Sequence, residues 1–495
     1  MENLQQTKNV DQLVLDYLNR DTKKLLINGK WVPSISGNTF ESINPATEEV
    51  IATIFEGGKA DIDLAVEAAQ RAFERADWAN ITAHQREVYL HKIADLIAQN
   101  AQELALLETL DNGMSLSTSA WLVQGAIDTF RYYAGWPTKI YGKTNPTDGG
   151  SFNYTLREPL GVCGAIVPWN GPIQSVAWKI APAIAFGNTI VVKPSSFTSL
   201  TCIRLGELIV ESGLPAGVVN IVTGQGSVVG SALVEHSNVA KIAFTGSTPV
   251  GKGILKSTAD TMKKVTLELG GKSANIIFPD ADMDKAIAGA LTGFTAGAGQ
   301  GCVAGSRVFI HEKIYEEVSA KIIELANKVV VGPGTDPANG MGPITTKGQF
   351  EKIQTYFEIG IKDGATLAAG GERSSTKGYF LRPTVFTNVK NGMRLAQEEI
   401  FGPVVALIPF KDENDVVFQA NDTEFGLAAM VWTKDINRAH QVAKAMKAGT
   451  VWINTLFELD PITPFGGYKQ SGLGRELGAE SIDAYTQIKS VVVRF

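Results

Sequence analysis

Five short apolar runs recur at intervals of about 20 to 30 residues: GVCGAIVPW from residue 161, NTIVVKP from 188, GVVNIVTG from 217, KIAFTG from 241 and KVTLELG from 264. Runs this apolar must be covered on both faces, and the amphipathic stretches between them are long enough for one helix each. The pattern therefore predicts successive βαβ units and a parallel sheet. Such sheets bind nucleotides beyond the carboxyl ends of their strands, which directs attention to Trp169 and Asn170, Lys193, Gly224, Gly246 and Glu268. The glycine fingerprint GxGxxG is absent, because Gly224, Gly226 and Gly230 place the last glycine one residue late. The segment FTGSTPVG at 244–251 is better placed. Gly246 makes a turn, and Ser247 and Thr248 are N-cap candidates for a helix whose free N–H groups would favour a phosphate.

Other chemistry lies in three short stretches. In FTAGAGQGCVAGSR, residues 294–307, Cys302 stands among glycines and alanines. Little side-chain bulk surrounds the sulfur, so a substrate carbon could approach it; alternatively Cys302 is a small buried hydrophobe. In LELGGKSA, residues 267–274, Glu268 closes an apolar strand beside a Gly-Gly turn. In VPWNGP, residues 167–172, Asn170 offers an amide donor directly after another strand.

Composition removes several classes. A chain of 495 residues holds about two to four domains, and a net charge of −6 leaves no basic footprint for nucleic acid. Cys163, Cys202 and Cys302 are odd in number and widely spaced, which fits neither a disulfide framework nor a cysteine zinc site and implies a reducing compartment. The histidines form no metal-binding pattern. The polar N-terminus lacks an apolar signal segment, and no long apolar span suggests a membrane, so a soluble cytoplasmic protein is expected.

Along the chain, Val10, Leu13, Val14, Tyr17 and Leu18 mark a short amphipathic helix. Asn28-Gly29 between Leu25, Ile27 and Trp31 signals a hairpin, and helical periodicity dominates from residue 60 to about 133. After Gly270 a second alternating region begins, with helices expected over 282–295, 312–329 and 349–361 and strands near Arg307, Val404, Ala428 and Val451. Residues 139–143, 151–157 and 488–495 read as extended, and so valine-rich an edge would aggregate if left free.

The boxes ELGGK at Glu268, GQGCVAGSR at Cys302, PWN at Asn170, EEIFGPV at 398–404 and PFGGYKQSG at 464–472 together resemble the aldehyde dehydrogenase superfamily, in family order from about residue 25 onward. The resemblance implies an α/β fold with a parallel-sheet cofactor-binding domain (23–138 and 160–269) and a second α/β catalytic domain (270–467). It also implies a β oligomerisation module (139–159 and 468–495), giving a homodimer or homotetramer, with residues 1–22 as an N-terminal extension. It implies oxidation of a small-molecule aldehyde with NAD or NADP, with Cys302 as nucleophile, Asn170 as oxyanion donor and Glu268 as base; Glu476 is a second possible base and Lys179 a relay. The cofactor would lie on Trp169, Lys193, Ser196, Gly226, Gly246, Ser247, Glu399 and Phe401. Ser196 stands where the family often has a glutamate that repels a 2′-phosphate, so NADP is admitted beside NAD. Around the aldehyde, Gly125, Gly171 and Ala296 replace larger side chains, while Trp178, Phe457, Leu459 and Phe465 stay apolar; a wide entrance for a bulky aromatic or medium-chain aldehyde is expected. Glu458 and Asp460 keep a cationic aminoaldehyde as the rival, and a non-catalytic cofactor-binding protein of the same fold is the alternative from another class.

Overall fold

The five apolar runs become neighbouring parallel strands in the computed structural model, which describes residues 2–495. Across the sheet they lie in the order Lys264–Glu268, Val239–Thr245, Val162–Ile166, Thr189–Lys193 and Val219–Ile221. The hairpin Leu25–Ile27 and Lys30–Val32 extends one edge antiparallel, and Gly472–Leu473 closes the other. Every residue of Val162–Ile166 and Thr189–Lys193 is buried, and each Val or Ile so covered contributes about 1.5–3 kcal/mol. The hairpin turns at Asn28 and Gly29 with φ of +54° and +71°, the left-handed pair that a two-residue turn needs to match strand twist.

From Val162–Ile166 the chain winds outward through Thr189–Lys193 and Val219–Ile221. It then returns to the opposite side for Val239–Thr245 and Lys264–Glu268. At this reversal the loops leave the sheet in opposite directions, which opens a crevice at the carboxyl ends. Trp169 and Asn170 follow the strand on one side of it, Gly246 and Ser247 the strand on the other.

Residues 59–134 form the helices Lys59–Glu74, Ala76–Ala79, Ala83–Gln99, Ala101–Asn112 and Leu116–Ala134. Thr82 and Gln85 cap the third reciprocally, which satisfies two otherwise free N–H groups. Ile93, Ile97, Phe130, Ile180 and Ile184 join these helices to Pro172–Ala185 in a core on one side of the first sheet. The N-terminal helix Glu2–Leu18 buries Val14, Tyr17 and Leu18 against Ile54, Leu107 and Leu200. Leu13 shares their period but faces solvent.

The second sheet runs Thr366–Ala369, Thr384–Thr387, Val404–Phe410, Arg307–His311, Ala274–Ile277, Ala428–Trp432 and Thr450–Ile453, all parallel except the first. The strands expected near Arg307, Val404, Ala428 and Val451 are present. Ala274–Ile277 and Thr384–Thr387 are only four residues each, too short to stand out as apolar runs. In a third sheet, Thr486–Arg494 pairs antiparallel with Ser151–Pro159 along its whole length, with Thr144–Asn145 beyond. Residues 139–143 do not form a strand. Pro137–Lys139 is one turn of 3-10 helix, favoured by the fixed φ of Pro137. Among the described residues no helix is long and apolar enough to cross a membrane.

Candidate active site

Trp169, Asn170, Gly246, Ser247, Glu268, Cys302, Glu399 and Phe401 line one cleft of about 170 Å³, together with Gln349 and Lys352. Loops leaving the carboxyl ends of the first sheet meet there the loops that enter strands Arg307–His311 and Val404–Phe410 of the second. Glycines let the loops close. Helix Met283–Thr295 stops where Gly297, Ala298 and Gly299 turn left-handed, with φ of +56°, +54° and +69°. A Cβ on Gly299 would stand 2.2 Å from the Gly402 carbonyl oxygen, and one on Gly271 would stand 2.2 Å from the Cys302 carbonyl oxygen. Any side chain at either position would separate the cysteine loop from its neighbours.

The 399–402 loop is held in turn by side chains. Glu399 accepts the Gly271 N–H at 2.8 Å, and Gln349 Nε2 donates to the carbonyls of Ile400 and Phe401, each at 2.8 Å. Phe401 sits at φ +60°, a strained conformation for a bulky residue, and its ring meets the Trp169 ring edge-on at 5.2 Å between centroids. Asn170 Nδ2 donates to the Gln300 carbonyl at 2.9 Å, which ties the amide to the loop carrying Cys302.

Burial dominates the electrostatics. It pushes the Cys302 thiol up to about 12, with the Glu399 and Glu268 carboxyls adding to the effect and the N–H groups of Cys302 and Val303 opposing it. Glu268 is 2% exposed, and neither carboxyl oxygen has a hydrogen-bond partner. Burial first, then the nearby Glu476, holds it well above the usual carboxylate range. Neither Lys179 nor Lys272 forms an ion pair with it, and the nearby charges of Lys179 and Arg475 offset the rise only in part. Lys179 Nζ bonds Glu476 and the Thr245 hydroxyl, each at 2.7 Å, fully buried behind the cleft. Lys272 Nζ is buried without a partner and is pushed down to about 7, mainly by desolvation.

Lys193, Ser196 and Gly226 lie outside this cleft, on the same side of the sheet's carboxyl ends. Burial lowers Lys193 to about 8, and no carboxylate is placed to offset that. A Cβ on Gly226 would come 3.9 Å from its Nζ, and Ser196 is partly exposed three residues beyond it. Helix Thr248–Thr258 begins with Ser247 at its N-cap, yet that side chain bonds no backbone N–H. The first turn therefore keeps free donors, where an anion is favoured. Free N–H groups, an uncompensated lysine and the Glu399 carboxylate fit the phosphates and ribose hydroxyls of a dinucleotide.

A second cavity of about 410 Å³ is lined by Gly125, Phe457 and Leu459 with Trp121, Gln124, Asp128, Tyr132, Gln174, Glu458 and Asp460. Gly125 does not widen it as the sequence suggests. The Gln174 amide fills the space, standing 2.2 Å from where a Cβ on residue 125 would be. Nor is the cavity purely apolar, since three carboxylic side chains reach it. Gly171 has room for a Cβ, with nothing closer than 3.8 Å. Trp178 packs on the buried Phe465 at 5.3 Å between ring centroids, and both join Phe457, Leu459 and Cys302 on one apolar core. Ala296 is exposed at the end of its helix, and Ala296, Gly171, Trp178 and Phe465 line neither cavity. Sequence reasoning missed Gln174, Gln300, Gln349 and Lys352. Gln300, two residues before the cysteine, stood in a stretch singled out for its chemistry, whereas Gln349 and Lys352 stood in a segment expected only as a helix.

Comparison with known proteins gives the family. The sequence model of the aldehyde dehydrogenase family matches residues 31–491. Retinal dehydrogenase 2 from Homo sapiens is 47% identical over 95% of this chain and 92% of its own length. An NAD+ complex of aldehyde dehydrogenase from Bacillus cereus superimposes with a TM-score of 0.96 at 49% identity, over 97% of this chain and 98% of that one. Betaine aldehyde dehydrogenase from Staphylococcus aureus in complex with NAD+ gives 0.96 at 40% identity, over 98% and 97%. With four of its five family motifs contributing to one cleft and residues 31–491 matched by the family model, the chain belongs to the aldehyde dehydrogenase family.

Proposed function

We propose that the protein oxidises an aldehyde to a carboxylic acid through a covalent adduct on Cys302. The observation that carries this is the meeting of a lone thiol, a side-chain amide and an unpaired carboxyl in one cleft. An aldehyde carbon cannot release hydride until an electron-rich oxygen is attached to push it out. Attack by the Cys302 sulfur, with the thiol proton released to water, turns the carbonyl oxygen into that electron-rich oxygen, and the Asn170 amide and the Cys302 N–H would donate to it. The nicotinamide cofactor, when bound, supplies the hydride acceptor. The acyl group is left as a thioester on the sulfur. Glu268 takes a proton from water, the water oxygen attacks the acyl carbon, and the sulfur leaves as thiolate. Behind Glu268, the Lys179–Glu476 pair can pass the proton onward.

Gly246 and Ser247 would hold the cofactor's phosphates, Glu399 the ribose next to the nicotinamide, and Trp169 and Phe401 the ring. Lys193, Ser196 and Gly226 would take the adenosine end, where the serine admits a 2′-phosphate, so both NAD and NADP serve. The aromatic side chains of the 410 Å³ cavity support an aromatic or other bulky apolar aldehyde. Asp128, Glu458 and Asp460 favour the second reading, an aldehyde with a cationic end, and relatives named for retinal and for betaine aldehyde stand on either side of that choice. The chain would work as a homodimer or homotetramer through its third sheet.

The test is a matrix of aldehydes against both cofactors, read by absorbance of the reduced nicotinamide. Phenylacetaldehyde and hexanal should exceed 4-aminobutanal and succinate semialdehyde in kcat/KM. Cys302→Ala should abolish turnover while cofactor titration still saturates. Turnover by that variant at the wild-type rate would remove the nucleophile.

A further inference from the structure

The last turn of helix Ala101–Asn112 and the loop around Thr345 close a hydrogen-bond ring around the oxyanion donor. Asn112 Nδ2 donates to the Trp169 carbonyl at 2.5 Å. The next residue, Asn170, donates its amide to the Gln300 carbonyl at 2.9 Å. Gln300 Oε1 accepts the Thr345 N–H at 3.0 Å, and the Thr345 hydroxyl returns to the Asn112 carbonyl at 2.9 Å. Asn112, Gln300 and Thr345 are 0%, 3% and 5% exposed. Close backbone approaches hold the two outer segments together. A Cβ on Gly342 would stand 2.1 Å from the Gly113 carbonyl oxygen, and one on Gly334 would stand 1.9 Å from that of Met114.

We infer that Asn112 and Thr345 are positioning residues that aim the Asn170 amide relative to the Cys302 sulfur. An amide nitrogen carries two N–H bonds in one plane. With one spent on the Gln300 carbonyl, the direction of the other is set by where Trp169 and Gln300 stand, and the ring holds both. Neither Asn112 nor Thr345 lines the cleft, so each acts only through Asn170. Catalysis by preorganised groups is sensitive to small displacements, a misplacement of about 1 Å costing up to about 10²-fold.

The inference rests on Asn170 being the oxyanion donor, and a double-mutant cycle separates the two claims. Thr345→Val keeps the shape and loses the hydroxyl, while Thr345→Ser keeps the hydroxyl. Thr345→Val should lower kcat about tenfold or more, with cofactor affinity and the iodoacetamide reactivity of Cys302 unchanged, and Thr345→Ser should restore most of it. In an Asn170→Ala background, Thr345→Val should cost less than about twofold. Equal losses in both backgrounds, or a Thr345→Ser protein as slow as the valine variant, would overturn the ring. An Asn170→Ala enzyme with wild-type kcat would overturn the donor assignment, and the ring's role with it. Should Thr345→Val fail to fold, Asn112→Asp enters the same cycle, since it sets a carboxylate oxygen against the Trp169 carbonyl in place of a donor.

Discussion

Glu268 is a carboxyl group with nothing to bond, and that is what suits it to its proposed task. A general base must be ionised, and one held well above the ordinary range by burial and by Glu476 is neutral at a pH where a surface glutamate is charged. Its basic form grows as pH rises through the raised pKa. Where thioester hydrolysis limits turnover, kcat should therefore climb with pH over that interval. Glu268→Gln should remove the climb and lower steady-state kcat by about 10²- to 10³-fold, while a stopped-flow burst of reduced cofactor of near full amplitude persists. A variant that loses the burst as well would place Glu268 in the thiol-activating step instead. The thiol itself, pushed up to about 12 in the cofactor-free protein, depends on what the cofactor and substrate bring to the cleft. The identity of Glu268 as a site residue was legible from its place at a strand end beside two glycines. That Lys179 pairs with Glu476 rather than with Glu268 was not, because which lysine meets which carboxylate depends on side-chain directions in the folded core.

At the scale of the element, helix Ala101–Asn112 is unusual in burying Glu108, Asp111 and Asn112 in its last turn. Glu108 accepts the Ile173 N–H and the Thr201 hydroxyl, and Asp111 accepts the Ser42 hydroxyl and the Leu200 N–H. Burial raises Glu108 to about 8 and Asp111 to about 7. In the unfolded chain both titrate near 4. The folded state thus holds protons that the unfolded state has released. Their contribution to stability is complete below about pH 4 and is lost as pH rises through 7 to 8. Melting temperature measured across that range should fall with pH, and Glu108→Gln, which keeps one of the two acceptor oxygens and removes the titration, should flatten the slope. An unchanged slope would mean that other groups set it. Periodicity revealed this helix, but not that its polar end faces inward. The same limit applies to Ala274–Ile277 and Thr384–Thr387, whose strand character lies in neighbours that complete the sheet rather than in their own four residues.

For the whole molecule, the three-stranded sheet stands apart from the two α/β sheets. Thr486–Arg494 pairs with Ser151–Pro159 residue for residue, yet Ile488, Val492 and Phe495 remain exposed. Apolar side chains on a long strand at a sheet edge invite a second copy of the chain. Sedimentation should find a dimer or tetramer at micromolar concentration. Val492→Asp, at an exposed position, should shift it toward smaller species with circular dichroism unchanged. A wild-type monomer would remove the oligomerisation reading.

The amino-acid sequence alone determined the parallel strands, the glycine turns and the candidates Cys302, Glu268 and Asn170. Strand period, turn φ and motif chemistry are local properties that a few adjacent residues carry. Only the tertiary structure decided that Gln174 fills the space beside Gly125, that Lys179 pairs with Glu476, and that Asn112, Asn170, Gln300 and Thr345 close on one another. Those contacts join residues tens to hundreds of positions apart, and burial, which sets both their strength and the protonation of the groups involved, exists only once the chain has packed.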